Sequence, residues 1–190
     1  MNAAPNAYHF VTHWHVAAPP EAVYRILEAV DALPRWWPSV YRDVTVLERG
    51  QPGGVGKIVE LFTKGWLPYT LRWRFRVTRT DLPTGFALDA FGDFVGRGVW
   101  TFTPDRLGTA VTYDWQIEAE KPLLKRLSWL LKPVFSMNHA WAMRKGQESL
   151  NLELRRRRGE PNVPKPPPPT FPHNRIRHRA GRNEPHPTAP

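Results

Sequence analysis

The chain has 190 residues, no cysteine and a formal net charge of +10. This length suits one domain with a sizeable core and a tail, and the lack of cysteine excludes disulfides, zinc–thiolate sites and cysteine nucleophiles. Most of the positive charge lies near the end, because residues 155–190 hold nine Arg or Lys and two Glu. No secretory signal and no apolar run of roughly 18 residues is visible, so we expect a cytoplasmic protein.

The opening of the chain predicts a strand followed by a short helix. An alternating run extends from Tyr8 to Val16 and ends in small residues and prolines. Pro20 suits the first turn of a helix, where backbone N–H groups have no helical partner, and Glu21 places negative charge at the positive end of the helix dipole. Apolar residues then recur at helical spacing as far as Val30.

Six further strands are predicted between residues 41 and 118. The clearest is Leu71–Val77, in which apolar residues alternate with arginines, so one face is expected to lie in the core. The other five are shorter runs near residues 41–46, 57–63, 86–91, 95–103 and 110–118. Because the connections between them are short, neighbouring strands are expected to pair antiparallel.

A long helix is predicted from about Pro122 to Arg157. Its apolar stripe comprises Leu123, Leu127, Leu130, Val134, Met137, Trp141 and Leu152. Pro133 lies inside this segment, and because proline removes a helical hydrogen bond we expect two helical pieces.

The composition changes near the end of that helix. Ten of the 21 prolines follow residue 158, and few large apolar residues accompany them. Such a segment buries too little apolar surface to offset its ordering entropy. The predicted organisation is a short N-terminal tail (1–7), one domain (8–157) and a disordered Pro/Arg-rich tail (158–190).

Four motifs in residues 8–155 resemble the START-like superfamily, also called SRPBCC or helix-grip. They are Ala18-Pro-Pro-Glu-x-Val23, Trp36-Trp-Pro38, Gly98-Val-Trp-Thr-Phe-Thr-Pro104 and Gly108-Thr-Ala-Val-Thr-Tyr113. The chain looks most like the polyketide cyclase/dehydrase and lipid-transport branch. The resemblance implies an α+β fold, in which a curved antiparallel sheet of about seven strands wraps round a long C-terminal helix. It also implies one or two short helices after the first strand and an apolar cavity between sheet and helix.

The aromatic strands and the long helix supply candidate cavity residues. The nine tryptophans either pack in the core or line a cavity that suits a flat or greasy ligand. Asn138, on or near the apolar stripe, either caps the backbone group freed by Pro133 or holds a polar end of the ligand. His139 lies about 100° further round the helix and need not reach the cavity. The predicted ligand-binding residues are Trp14, Leu71, Trp73, Phe75, Trp100, Tyr113, Met137, Asn138 and Trp141.

The sequence contains no clear motif for binding a metal or a cofactor. His13 and His15 share one face of the first predicted strand, but without a partner carboxylate they are better explained as solvent-facing than as zinc ligands. The glycines of residues 53–56 join two strands and form a turn, since no helix follows. We predict no catalytic residue, no metal and no cofactor.

Two functions from different classes remain. One is a carrier or sensor of a small hydrophobic ligand, aromatic or lipid-like, and the other is a polyketide cyclase, aromatase or dehydratase acting in the same cavity. The polar candidates are few, namely Asn138, His139, Tyr69, Tyr113 and Asp114, so the interpretation leans against an enzyme.

The apolar segment 123–135 suits a membrane contact, a dimer surface, the cavity mouth or burial in the domain. With the basic tail it suggests weak contact with an anionic membrane. No specific nucleic-acid partner is predicted, and the oligomeric state is left open.

Overall fold

The computed structural model describes residues 6–170, apart from the side chains of residues 123–125, 128 and 129. The strands are β1 (Ala7–Val16), β2 (Tyr41–Glu48), β3 (Ile58–Thr63), β4 (Leu71–Asp81), β5 (Gly85–Gly92), β6 (Phe94–Asp105) and β7 (Gly108–Ala119). The helices are α1 (Pro20–Glu28), α2 (Leu33–Trp36) and α3 (Pro122–Arg157), with a 3₁₀ turn at Val30–Ala32. The predicted α+β helix-grip fold is confirmed.

The seven strands form one antiparallel sheet in the order β1-β7-β6-β5-β4-β3-β2. Each strand from β2 to β6 pairs with the next in the chain, and β1 pairs with β7, so α1 and α2 connect the two edges of the sheet. The alternation in β4 has the predicted consequence, since its apolar residues at 71–77 are buried and the arginines between them are exposed.

Two glycines let large aromatic rings approach the backbone. A Cβ on Gly98 in β6 would lie 2.9 Å from a ring carbon of Trp115 and 3.0 Å from one of Tyr113. A Cβ on Gly146 in α3 would overlap the indole ring of Trp37. The first contact lets the two β7 rings lie across β6, and the second brings the C-terminal half of α3 against Trp37.

The long helix differs from its prediction in two respects. It is continuous through Pro133, so the expected division into two pieces is wrong. Its inward face also differs from the predicted stripe, because Leu130 and Met137 are 58% and 56% exposed. Among the described side chains of α3, the buried residues are Asn138, Met143, Gly146, Ser149, Leu150, Glu153 and Leu154. Polar and small residues lie on this face, and a stripe drawn from apolar residues alone misses it.

An ionic cluster around Glu153 joins α2 to α3. This carboxylate is only 2% exposed and accepts hydrogen bonds from Arg35 at 2.8 and 3.0 Å and from Arg157 at 3.2 Å. Burial raises its pKa, but the bonds from Arg35 and Arg157 outweigh burial and hold the pKa of Glu153 below its usual value. The carboxylate is therefore ionised in a place where an unpaired charge would be costly.

Beyond α3 the described chain continues as turns and extended backbone to residue 170. Arg156 donates to the carbonyl of Pro164, and Arg158 donates to the carbonyl of Ala17. Residues 171–190 lie outside the described part, as do the side chains of 123–125 in the segment suggested for membrane contact. Disorder of the tail stays a prediction. Within residues 6–170 no helix has the length and apolar character needed to cross a membrane.

We expect Glu153→Gln to destabilise the fold by about 1–3 kcal/mol, because the charge-assisted bonds to Arg35 and Arg157 are lost in a buried place. The matched control is Glu148→Gln, since Glu148 pairs with Lys145 at the surface and should contribute less than about 0.5 kcal/mol. Urea unfolding of both variants gives the comparison. Equal stabilities would contradict a structural role for the cluster.

Candidate functional site

A cavity of about 130 Å³ lies between the inner face of the sheet and the middle of α3. An engineered cavity of about 150 Å³ holds benzene, so this one encloses about one aromatic ring. It is partly open, and a second ring or a chain could extend outward. Its apolar wall is formed by Phe10, Leu71, Trp73, Phe94, Trp115, Ile117, Phe135, Ala142 and Met143.

Two tyrosines bring hydroxyl groups into the cavity lining without a hydrogen-bond partner among the described residues. Tyr41 at the start of β2 and Tyr113 in β7 both line the cavity, and neither hydroxyl has a hydrogen-bond partner among the described residues. Burial raises the pKa of Tyr41 and of Tyr113, and the charge of a Tyr41 phenolate would raise the pKa of Tyr113 further. Both phenols therefore stay protonated and can donate hydrogen bonds into the cavity.

Asn138 fastens the β3–β4 loop to α3 beside the cavity. Its Oδ1 accepts the backbone N–H of Trp66 at 2.9 Å and that of Leu67 at 3.3 Å. Its Nδ2 donates to the Tyr69 hydroxyl at 3.4 Å, and a Cβ on Gly65 would overlap the amide. Asn138 therefore does not form the expected cap on the backbone group freed by Pro133. Its side-chain carbonyl oxygen already accepts the two hydrogen bonds from the β3–β4 loop.

His139 lines the cavity, contrary to the expectation that it need not reach it. Its ring stacks on Phe10 with centroids 4.1 Å apart and an angle of 13° between the planes. Burial lowers the pKa of His139 to about 4, and its Nε2 is buried without a hydrogen-bond partner among the described residues. The imidazole is therefore neutral at pH 7.

Lys64, directly after β3, also lines the cavity and is only 4% exposed. Burial lowers the pKa of its ammonium, and the charge of Arg42 lowers it further. No acidic side chain in the described part of the chain pairs with Lys64. The lining therefore includes a cation and, among the described residues, no carboxylate.

The structure brings together four of the nine predicted ligand-binding residues. Leu71, Trp73, Tyr113 and Asn138 line the cavity. Trp14 and Trp100 lie behind it in an aromatic cluster, where Trp100 stacks on Tyr113 with centroids 4.0 Å apart. Phe75 lines a separate small hollow with Tyr24 and Phe86. Met137 is exposed, and half-buried Trp141 is outside the lining.

Sequence reasoning missed Phe10, Tyr41 and Lys64. Phe10 shares its strand parity with Trp14, which was a usable signal. Tyr41 and Lys64 lie where β2 and β3 meet: Tyr41 is opposite Thr63, and the register shifts between Tyr41 and Asp43. A shift of this kind redirects side chains and leaves no mark in a hydrophobic pattern.

The histidines of β1 lie on the other side of the sheet. His9 and His15 contact Asp114 and Asp105 at 3.1 and 2.9 Å, and His13 contacts the Thr112 hydroxyl at 3.2 Å. The side chains of these three histidines are exposed, as predicted for solvent-facing residues. Among the described residues no group of three or more His, Cys, Asp or Glu could hold a metal ion.

We expect Asn138→Leu to destabilise the protein by about 1–3 kcal/mol, because the N–H groups of Trp66 and Leu67 lose their acceptor. The neighbouring exposed change Met137→Leu is the control and should stay within about 0.5 kcal/mol of the native protein. Urea unfolding measures both. A neutral Asn138→Leu would show that the loop does not depend on this amide.

The buried imidazole predicts a pH dependence. Because the folded pKa of His139 is about 4 and its ordinary value is 6.5, the unfolded chain binds a proton first as the pH falls. The contribution to stability is complete above pH 6.5 and is lost progressively toward pH 4. Unfolding free energies measured across this window should fall more steeply for the native protein than for His139→Gln. Parallel curves would contradict burial of a neutral His139.

Comparison with known proteins was made on sequence and on structure. The family model described as polyketide cyclase/dehydrase and lipid transport matches residues 8–153. A search of the curated proteins found no match.

Solved structures share the fold. A protein from Thermus thermophilus is 23% identical with a TM-score of 0.61, covering 79% of this chain and 96% of that one. The Zhui aromatase/cyclase from a Streptomyces species is 19% identical with a TM-score of 0.61, covering 80% and 95%. The di-domain ARO/CYC protein StfQ of the steffimycin biosynthetic pathway is 18% identical with a TM-score of 0.58, covering 82% and 53%. At these identities the similarity shows the fold alone.

Proposed function

The chain belongs to the polyketide cyclase/dehydrase and lipid transport family, and on that premise we propose that it binds one small hydrophobic molecule, aromatic or lipid-like, as a carrier or sensor. The observation that carries the proposal is the partly open cavity with aromatic walls under α3. Apolar pockets with a few convergent polar groups are the usual form of small-molecule sites. The ligand gains free energy by leaving water, and the aromatic walls favour flat groups.

The protonation states of the cavity favour binding over proton transfer. A general acid or base works best when its pKa lies near the working pH. Burial raises the pKa values of Tyr41 and Tyr113 and lowers that of His139 to about 4, so all three are moved away from neutrality. These groups can orient a ligand at pH 7, but they are poorly suited to exchange protons with it.

A second candidate function is the cyclase or aromatase activity of the same family. The observation in its favour is that Tyr41, Tyr113 and His139 converge on one cavity with unpaired polar atoms among the described residues. Such groups could hold a flexible poly-ketone chain in a reactive conformation, and positioning alone can accelerate an intramolecular reaction. Turnover of a poly-ketone substrate by the native protein, lost in His139→Gln with binding retained, would favour this function.

The carrier proposal predicts saturable binding of 2-ethylnaphthalene, a neutral hydrocarbon probe, at about one molecule per chain in calorimetric titration. Ala142 lines the cavity from α3, so Ala142→Phe should fill it and weaken binding at least about tenfold. Ala140→Phe, on the exposed face of the same helix, is the matched control and should bind like the native protein.

Two results would contradict the proposal. One is the absence of saturable binding by the native protein. The other is equal affinity in the Ala142→Phe and Ala140→Phe variants, which would show that the probe binds elsewhere.

A further inference from the structure

Two tyrosines from distant strands of the sheet, Tyr41 and Tyr113, line the same cavity. Tyr41 comes from β2 at one edge of the sheet and Tyr113 from β7, which is next to the other edge. The curvature of the sheet brings both into one cavity lining. Residues so far apart in strand order therefore converge because the sheet wraps round α3.

Aromatic contacts hold both rings in place. Tyr41 packs edge-on against Trp37 with centroids 5.1 Å apart, and Tyr113 stacks between Trp100 and Trp115 at 4.0 and 5.6 Å. Gly98 makes room for the Tyr113 ring, since a Cβ there would lie 3.0 Å from it. Rings fixed in this way present their hydroxyls in set directions, so little side-chain entropy is lost when a ligand binds.

Neither hydroxyl has a hydrogen-bond partner among the described residues, although Tyr113 is only 7% exposed. Tyr69 also lines the cavity, and its hydroxyl oxygen accepts the hydrogen bond of Asn138. Tyr41 is half-buried, and both Tyr41 and Tyr113 line the partly open cavity, so their O–H donors are available to a ligand atom that enters it.

Resting on the proposed function, we propose that Tyr41 and Tyr113 form a two-donor subsite that binds an oxygen acceptor, a ketone or aldehyde carbonyl, on the hydrophobic ligand. A carbonyl oxygen has two lone pairs and accepts two hydrogen bonds in the plane of its substituents. The two phenols supply one donor each, and the aromatic walls hold the ring to which the carbonyl is attached. The subsite therefore selects aromatic ketones over hydrocarbons of the same shape.

Three polar groups of the lining, Tyr41, Tyr113 and His139, suit a neutral acceptor, whereas Lys64 in the same lining supplies a cation. Burial raises the pKa values of both tyrosines, so each keeps its proton throughout the physiological range. The neighbouring imidazole is neutral at pH 7, because burial lowers the pKa of His139 to about 4. A carbonyl dipole is satisfied by these neutral donors without the desolvation cost of a full charge.

The test compares 2-acetonaphthone with 2-ethylnaphthalene, which has nearly the same shape but no oxygen. Calorimetric titration of the native protein should show tighter binding of the ketone. Tyr41→Phe and Tyr113→Phe should each weaken ketone binding about two- to tenfold and leave hydrocarbon binding within about twofold, as expected for one hydrogen bond. In the double variant the preference for the ketone should disappear, and the two effects should be non-additive because both hydroxyls meet one oxygen.

A control separates this subsite from a general effect of losing a phenol. Tyr24→Phe removes a buried hydroxyl outside the cavity. This change should not alter the ratio of ketone to hydrocarbon affinity. Because the readout is a ratio of two ligands on each variant, a partly destabilised variant still reports on the subsite.

Each outcome bears on a different claim. If the hydrocarbon binds and the ketone binds no better, or if the Phe variants keep the preference, the two-donor subsite is wrong and the hydrophobic-ligand function stands. If the native protein binds neither probe, both claims fail. If only the ketone binds and the Phe variants lose it, the two-donor subsite is supported, and the claim that a hydrocarbon alone binds is wrong.

Discussion

The packing of one long helix against a curved sheet determines the rest of this structure. The contact is close at the C-terminal half of α3, where Gly146 admits the Trp37 ring and Leu150 is fully buried. It is looser along the middle of α3, where Phe135, His139 and Ala142 face the cavity across from the strands. The cavity is the space between this part of the helix and the sheet. Asn138 lies in the same part of the helix and fixes the β3–β4 loop beside the cavity.

The buried polar groups fall into two classes with different consequences. Asn138 and Glu153 have their hydrogen bonds satisfied within the protein, so they fix the positions of the β3–β4 loop and of α2. Tyr41, Tyr113 and the Nε2 of His139 have no such partners among the described residues. Satisfied groups of this kind stabilise one arrangement of the chain, whereas unsatisfied ones reduce stability unless a ligand completes them. Among the described residues the buried unpaired atoms also include the Oγ atoms of Ser39 and Ser149, which lie outside the cavity lining. The structural argument for a binding role is therefore the convergence of Tyr41, Tyr113 and His139 on one cavity.

Strands could be predicted from the sequence with more success than the site. The alternation in β4 and the parity of β1 depend on one strand and its exposure to solvent, and both are visible in a short window of sequence. The inward face of α3 depends instead on distant partners. Asn138 is buried because Trp66 and Leu67 donate to it, and Glu153 because Arg35 reaches it. An inward face predicted from apolar residues alone therefore includes Met137, which is exposed in the structure.

Burial acts in opposite directions on the phenols and the imidazole of the cavity, and it keeps all three groups neutral. It raises the pKa of the phenols of Tyr41 and Tyr113, which keeps them protonated, and lowers the pKa of the His139 imidazole, which keeps it unprotonated. Lys64 is different, because burial and the charge of Arg42 lower its pKa while no acidic side chain among the described residues pairs with it. A ligand that enters this interior exchanges water for aromatic faces and the hydrogen-bond donors of Tyr41 and Tyr113. Since the aromatic walls bind flat apolar groups and the phenols bind an acceptor atom, the cavity discriminates by polarity as well as by shape.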